Sequence, residues 1–114
     1  GLNVTIDPEE FCSFCLKAPE ESNVCILDVR SPANAQPYVE RFGELWLNIP
    51  QEQLIYRLND IPADKDLVIV CNSGARSYEA LRLLQAKLGK DARNLQGGVA
   101  LLRMGGMIDA GEED

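Results

Sequence analysis

One loop contains the residues of this 114-residue chain that are best suited to chemistry. It opens with Cys71 after the apolar run 67–70, and a helix-like run over residues 78–88 follows it. Backbone N–H groups and the positive end of a helix dipole converge on a cysteine placed between a strand and a helix. The loop is therefore predicted to hold a thiolate at neutral pH and to form the active site. After the cysteine its residues are Asn72, Ser73, Gly74, Ala75, Arg76 and Ser77.

Each of three loop residues has a predicted role in activating the thiol. Gly74 allows the backbone to curl around the sulfur, and Arg76 adds a fixed positive charge. Ser77 is expected to cap the helix, which would then begin at that residue. Together these effects should lower the pKa of Cys71. The chain contains no histidine, so Cys–His catalysis is excluded and no separate general base is expected.

Simpler interpretations of the same residues remain open. Cys71 could be a buried structural cysteine at the end of a strand, and Arg76 could form a surface salt bridge. Ser77 could act only as a helix cap, which is worth about 1 kcal/mol.

Strand-like and helix-like patterns alternate along the chain. This alternation predicts an α/β domain with a mainly parallel sheet, and Cys71 would lie beyond the carboxyl end of a strand, where such sheets carry their working loops. Ser31 and Pro32 are expected to open a loop or a short helix. The predicted strands are residues 4–6, 24–29, 45–49, 66–70 and 92–95, and the predicted helices are residues 8–17, 51–59, 77–88 and 99–104.

Composition limits the classes of partner. Hydrophobic residues make up 46% of the chain, which is enough for a core, and the longest apolar runs are too short to cross a bilayer. The net charge is −7, which argues against nucleic acid as a partner. Much of that charge lies in a predicted acidic tail, residues 108–114, so residues 1–107 are expected to form the domain. The first residue is glycine and the last residues are acidic, which would suit a module excised from a larger protein.

The other cysteines are predicted to be structural. Cys12 and Cys15 form a C-x-x-C motif, but no second motif and no histidine complete a zinc site, so no metal is expected. Cys25 stands inside an apolar run and is expected in the core. A chain that can build a core needs no disulfides, so we expect free thiols in a reducing, cytoplasmic setting.

Four segments of the chain resemble rhodanese-family sulfurtransferases. The Cys71 loop is similar to the family's Cys-x-x-Gly-x-Arg-Ser loop. Residues 26–31, 48–50 and 94–99 are similar to its Leu-Asp-Val-Arg, Asn-Ile-Pro and Leu-x-Gly-Gly segments, in the same order. The resemblance implies a three-layer domain with a central, mainly parallel five-stranded sheet flanked by helices. One departure is that residues 41–47 replace a histidine-containing segment found in many members.

The resemblance also implies an activity. The Cys71 thiolate would take a sulfane sulfur from a small donor and pass it to a thiol or to cyanide, with no cofactor. Asp28 would hydrogen-bond to the active loop and brace it, and Arg30 would line the site or pair with an acid. A purely structural ion pair of these two residues is the alternative. The chain could also be a module fused to, or a partner of, a flavin-dependent disulfide or CoA-persulfide reductase, or a non-catalytic binding domain.

The spacing and charge of the loop narrow the substrate. Four residues separate Cys71 from Arg76, whereas phosphatases of this fold use five, so phosphatase activity is not expected. Asn72, Ser73 and Ala75 are neutral and would hold a dianion such as thiosulfate weakly. The hypothesis is therefore that the donor is a thiol persulfide or polysulfide.

Overall fold

A five-stranded, fully parallel sheet forms the centre of the protein. The computed structural model describes residues 5–15 and 23–104. The strand order across the sheet is β1-β5-β4-β2-β3, so β4 lies in the middle. The predicted parallel sheet is confirmed. Its strands are β1 (Thr5–Ile6), β2 (Val24–Asp28), β3 (Trp46–Asn48), β4 (Asp66–Val70) and β5 (Ala92–Leu95).

Four helices cover the two faces of the sheet. Alternate residues of the central strands point to opposite faces, as the period of two in a strand requires. Leu67 and Ile69 of β4 lie in one core cluster, and Val68 and Val70 lie in the other. The first cluster contains residues of α3, and the second contains residues of α1, α2 and α4, so the domain has three layers. The helices are α1 (Pro8–Cys15), α2 (Pro32–Phe42), α3 (Ala75–Leu88) and α4 (Gly98–Met104).

The ends of two helices agree with their sequence signals. Asp7 Oδ1 accepts a hydrogen bond from the backbone N–H of Glu10 over 2.9 Å, which caps α1. Gly89 ends α3 in the left-handed conformation, with a φ of +60° that glycine adopts without strain.

Two segments differ from the sequence prediction. The helix predicted over residues 51–59 is wrong: Gln51–Tyr56 and Leu58–Asp60 form two short 3-10 helices. Arg57 separates them because its φ of −124° lies outside the helical region. The segment opened by Ser31 and Pro32 is a full 11-residue helix, with proline at its first turn.

Some predictions concern parts of the chain outside the described residues. These are Val4 of the first strand, residues 16 and 17 of the first helix, and the acidic tail. Within the described parts of the chain, no helix is long and apolar enough to span a membrane.

Candidate active site

Cys71 follows directly after the middle strand of the sheet. Its neighbours β2 and β5 run parallel to β4, so the ends of all three strands meet at the same edge. The chain then passes through Asn72, Ser73 and Gly74 before α3 begins at Ala75. Loops at this edge of a parallel sheet commonly carry the functional groups of α/β proteins.

The sulfur of Cys71 lies within reach of several hydrogen-bond donors. The backbone N–H of Gly74 donates to Sγ over 2.9 Å, and Ser77 Oγ lies 3.3 Å from Sγ. Burial alone would raise the pKa of Cys71. The Ser77 hydroxyl and the backbone N–H groups of Ser77, Gly74 and Ser73 outweigh it, and the pKa is lowered from its ordinary value of 9.0. The site therefore favours a thiolate.

The start of α3 differs from the sequence prediction. The helix begins at Ala75, and Gly74 is its N-cap with a φ of +102°. The prediction that Ser77 caps the helix is therefore wrong. Ser77 lies in the first turn, fully buried, and its hydroxyl faces Cys71, the carbonyl oxygen of Gly74 and Asn94. The positive φ that ends the loop requires a glycine at the cap position.

A second segment holds the loop from behind. The backbone N–H groups of Val99 and Ala100 donate to the carbonyl oxygens of Cys71 and Asn72, each over 2.9 Å. Gly98 makes this approach possible, because a Cβ at that position would lie 2.4 Å from the Asn72 carbonyl oxygen. The Leu-x-Gly-Gly segment thus keeps the backbone of the active loop in place.

A cavity of about 380 Å³ opens above the loop. Cys71 is only 2% exposed and is one of the residues that line this cavity. Gly74 and Ser77 are not part of the lining and support the sulfur from within. The lining residues are Arg30, Ser31, Asn34, Cys71, Asn72, Ser73, Ala75 and Arg76.

Asp28 and Arg30 form an ion pair beside the cavity. The Arg30 guanidinium contacts the Asp28 carboxylate over 3.0 Å and lies 4.9 Å from the centre of the Tyr38 ring. Trp46 Nε1 donates to the same carboxylate over 3.0 Å. The expectation that Asp28 hydrogen-bonds to the active loop is wrong: its carboxylate is occupied by Arg30 and Trp46. Arg30 both pairs with an acid and lines the site.

Sequence reasoning missed two residues near the loop. Asn94 of β5 donates through Nδ2 to the carbonyl oxygen of Gly74 over 3.0 Å and accepts from Ser77. A polar side chain in a buried strand was the signal that could have identified it. Arg103 of α4 contacts Asn72 Oδ1 over 3.4 Å. No feature of the sequence predicts that contact, because the two residues are far apart in the chain.

The other three cysteines have different surroundings. None of the four cysteines forms a disulfide in the described residues. Burial raises the pKa of Cys12, that of Cys15 to about 12 and that of Cys25 to about 11. Cys25 is buried in the core, as predicted, and Cys12 and Cys15 pack against the second core cluster. Within residues 5–15 and 23–104, no group of His, Cys, Asp and Glu could hold a metal ion.

Comparisons with known proteins agree with this geometry. The sequence model of the rhodanese-like domain matches residues 15–103, which include the whole loop. A sulfurtransferase of Allochromatium vinosum is 34% identical over 88 residues, covering 76% of this chain and 78% of that protein. The structure of a rhodanese-like domain protein from Staphylococcus aureus has a TM-score of 0.70 and 28% identity, covering 96% of this chain and 95% of that one.

A larger protein contains a similar domain. The NAD-dependent persulfide reductase from A. fulgidus has a TM-score of 0.62 and 37% identity, covering 84% of this chain but only 15% of the reductase. The fold is therefore found both in small proteins and as part of a longer chain.

Proposed function

The chain belongs to the rhodanese-like domain family, and from this premise we propose that it is a sulfurtransferase whose Cys71 carries sulfur as a persulfide. The observation that supports this most directly is the cradle around Sγ. A backbone N–H at 2.9 Å and a hydroxyl at 3.3 Å favour the thiolate, and a cavity gives access to it. A thiolate is the nucleophilic form of cysteine.

In the first step the Cys71 thiolate attacks the outer, sulfane sulfur of the donor. A bond forms between Sγ and that sulfur while the bond inside the donor breaks, and its electron pair leaves with the departing thiolate or sulfite. The product is a Cys71 persulfide with the negative charge on its terminal sulfur. No net change in oxidation state is required, because the sulfane sulfur only changes its bonding partner.

In the second step a thiolate or cyanide attacks the terminal sulfur. The bond between that sulfur and Sγ breaks, and its electron pair returns to Cys71 as a thiolate. The same N–H and O–H donors that favour the resting thiolate also stabilise it as a leaving group. Two half-reactions through a covalent intermediate give ping-pong kinetics.

Intact mass measurement tests the mechanism. The protein is incubated separately with thiosulfate and with a thiol persulfide, and its mass is compared before and after. We expect a gain of one sulfur atom that a thiol acceptor removes, and no gain in Cys71→Ser. A Cys25→Ser variant is the matched control, because its sulfur lies outside the cavity. An equal gain in Cys71→Ser would exclude the mechanism.

We propose that the donor is a thiol persulfide or polysulfide rather than thiosulfate. Arg30 and Arg76 line the cavity, but Asp28 offsets the charge of Arg30. Asn72, Ser73 and Ala75 are exposed and neutral. The two lining arginines and Asp28 together carry one net positive charge, which suits a monoanionic persulfide better than a dianion. Arg103 lies outside the lining, with its guanidinium at Asn72 Oδ1. Comparable kcat/KM values for thiosulfate and a persulfide donor would contradict this.

A charge added to the cavity should change the donor preference. Ser73 is exposed and lines the cavity, so Ser73→Lys places an ammonium there while keeping the backbone N–H. We expect kcat/KM for thiosulfate to rise on the order of tenfold, with a smaller rise for the persulfide donor. Ser73→Gln is the neutral control of similar length.

A second candidate is a sulfur-relaying module of a larger reductase. The persulfide reductase relative, of which this chain matches 15%, supports it. In that case Cys71 would hand its sulfur to a flavin-dependent reductase domain or partner, and transfer to free thiols would be slow. Turnover with and without such a reductase distinguishes the two cases. Both require a free thiol, so we propose a reducing, cytoplasmic setting.

A further inference from the structure

Asn94 is a buried amide that the two-step scheme does not use. It lies in β5 and is 7% exposed. Because side chains alternate along a strand, Asn94 shares a face with Ala92, which packs in the core cluster that includes α3. A buried amide is unfavourable unless its polar atoms have partners. Its partners therefore indicate why an asparagine stands at this position.

The orientation of the amide follows from its two contacts. Asn94 Nδ2 donates to the carbonyl oxygen of Gly74 over 3.0 Å, and Oδ1 accepts from the hydroxyl of Ser77. A carbonyl oxygen can only accept, so the nitrogen must face Gly74 and the oxygen must face Ser77. The Gly74 oxygen also accepts from the backbone N–H of Tyr78 over 3.3 Å. Ser77 Oγ lies 3.1 Å from the same oxygen, so three donors face its two lone pairs.

The Ser77 hydroxyl has one proton and three acceptors within reach: Asn94 Oδ1, Cys71 Sγ and the carbonyl oxygen of Gly74, which lies 3.1 Å from Oγ. Because the Gly74 oxygen has two other donors, the competition that matters is between Asn94 Oδ1 and Cys71 Sγ. When Cys71 is a thiol, its S–H donates to Ser77 Oγ and the Ser77 O–H donates to Asn94. When Cys71 is a thiolate, the charge on the sulfur attracts the Ser77 proton, because hydrogen bonds to ionised acceptors are stronger. Asn94 Oδ1 then loses its donor.

We propose that Asn94 is a positioning residue for sulfur transfer, which holds the Ser77 hydroxyl beside Cys71 and competes with the sulfur for its proton. In the persulfide the charge lies on the terminal sulfur, and the Ser77 proton returns to Asn94. The hydroxyl thus changes its acceptor within each cycle. The role in transfer rests on the proposed function, whereas the competition itself is a property of the resting protein.

Replacing Asn94 by an apolar residue leaves the charged groups around Cys71 the same, whereas Asn94→Asp adds a carboxylate. In the described residues they are Arg30 with its partner Asp28 at the end of β2, Arg76 in α3, and Arg103, which reaches Asn72 from α4. A change in Cys71 titration between variants at position 94 therefore reports the side chain at that position.

Two variants at position 94 test whether the side chain competes with Cys71 for the Ser77 proton or only supports the loop through its bond to Gly74. Asn94→Leu removes the Asn94 acceptor and leaves only the Gly74 oxygen to compete with the sulfur, so the Ser77 proton is more available to the thiolate and the pKa of Cys71 should fall. Asn94→Asp restores an acceptor for Ser77, so its Cys71 pKa should return to the wild-type value or exceed it. The measurement is the pH dependence of Cys71 alkylation, with the adduct identified by peptide mass. At pH 6 we expect alkylation in Asn94→Leu to be roughly threefold to tenfold faster than in wild type.

The Ser77→Ala background is the matched control. Without the hydroxyl there is no proton to compete for, so Asn94→Leu should no longer accelerate alkylation. A merely structural role predicts the opposite pattern: loss of the bond to Gly74 loosens the loop and raises the pKa of Cys71 whether or not Ser77 is present. That pattern, or an acceleration that persists in Ser77→Ala, would overturn the proposal. Should the leucine variant not fold, Asn94→Val also lacks both polar atoms and suits a strand.

The same samples distinguish this inference from the proposed function. Sulfur loading of the wild-type protein is measured by intact mass beside the alkylation profiles. Suppose that the wild-type protein gains sulfur but Asn94→Leu does not accelerate alkylation in the Ser77-dependent way. This result refutes the role of Asn94 and leaves the sulfurtransferase proposal in place. If alkylation changes as expected in the variants but the wild-type protein gains no sulfur, the competition for the proton is supported and sulfur transfer is refuted.

Discussion

Cys71 and Cys25 belong to the same core cluster and are almost equally buried, at 2% and 3% exposure. Cys25 lies inside β2, and Cys71 follows the neighbouring strand β4. Burial raises the pKa of Cys25 to about 11, and the charges of Lys65 and Lys90 offset this only in part. At Cys71 the hydrogen bonds from Ser77, Gly74 and Ser73 outweigh burial, and the pKa is lowered.

The difference lies in where the backbone donors are used. Around Cys25 the backbone belongs to the parallel ladder, in which Cys25 is the partner of Leu67. Beyond the end of β4 the chain leaves the sheet, and the N–H groups at the start of α3 have no partners within the helix. They are therefore free to bond to a sulfur. Two thiols of equal exposure thus differ in pKa because one of them lies beside the Ser77 hydroxyl and a helix N-terminus.

The largest expected effect is the difference in alkylation rate between the two cysteines. At pH 7 a pKa of about 11 leaves about one Cys25 in 10⁴ as thiolate, whereas a pKa below 9.0 leaves more than about one Cys71 in 10². Iodoacetamide should therefore modify Cys71 at least about a hundredfold faster, as followed by peptide mass. In denaturant the two rates should become similar. Rates within a fewfold of each other in the folded protein would contradict the difference in pKa between the two cysteines.

A substitution at Gly98 should displace the loop that contains Cys71 and leave the surroundings of Cys25 unchanged. Its φ is +66°, and an alanine Cβ would lie 2.4 Å from the Asn72 carbonyl oxygen. We expect Gly98→Ala to cost at least about 2 kcal/mol of unfolding free energy and to slow sulfur loading on the order of tenfold or more.

Gly89→Ala is the control for the strain of a positive φ. Gly89 has a similar φ of +60°, but nothing lies within 4 Å of the added Cβ. It should cost about 1 kcal/mol and leave Cys71 alkylation unchanged. Equal loading defects in the two variants would show that general destabilisation, rather than displacement of the loop, is responsible.

The ion pair beside the cavity should matter for stability more than for the thiol. Trp46→Phe removes the Nε1 hydrogen bond to Asp28 while keeping most of the buried ring. We expect a loss of about 1 kcal/mol in denaturant unfolding and an unchanged pH profile of Cys71 alkylation. A shifted profile would mean that the Asp28–Arg30 pair also tunes the sulfur.

The smallest expected effect is on the free energy of unfolding, to which the two cysteines contribute pH dependences of opposite sign. Between its lowered folded pKa and 9.0, Cys71 holds fewer protons when folded, so its contribution grows as pH rises through this range and is lost as pH falls. Between 9.0 and about 11, Cys25 holds more protons when folded, so its contribution is lost as pH rises. Denaturant unfolding of Cys71→Ser and Cys25→Ser across pH 6–10 should remove the two slopes separately. Slopes of the same sign would contradict the assignment.

Local sequence patterns were enough to predict the parallel α/β fold, most strand bounds and the position of Cys71 before a helix. These features depend on the period of apolar residues and on glycine, proline and cap signals, which act over short stretches of chain. The lowered pKa of Cys71 also followed from local order, since its donors Ser73, Gly74 and Ser77 are close in sequence. The helix over residues 51–59 was predicted wrongly. Its apolar spacing gives no sign that the backbone φ of Arg57 lies outside the helical region.

The residues that are distant in sequence but lie beside the loop could be found from the folded structure alone. The placement of Asn94 beside Ser77 requires β5 to lie next to β4, and Arg103 reaches Asn72 because α4 returns to the loop. Asp28 was expected to hydrogen-bond to the loop, but its carboxylate is bound by Arg30 and by Trp46 of the adjacent strand β3. Strand order and packing set these contacts, and no local pattern encodes them. The sequence alone therefore predicted which thiol would have a lowered pKa, and the fold determined which side chains form hydrogen bonds around it.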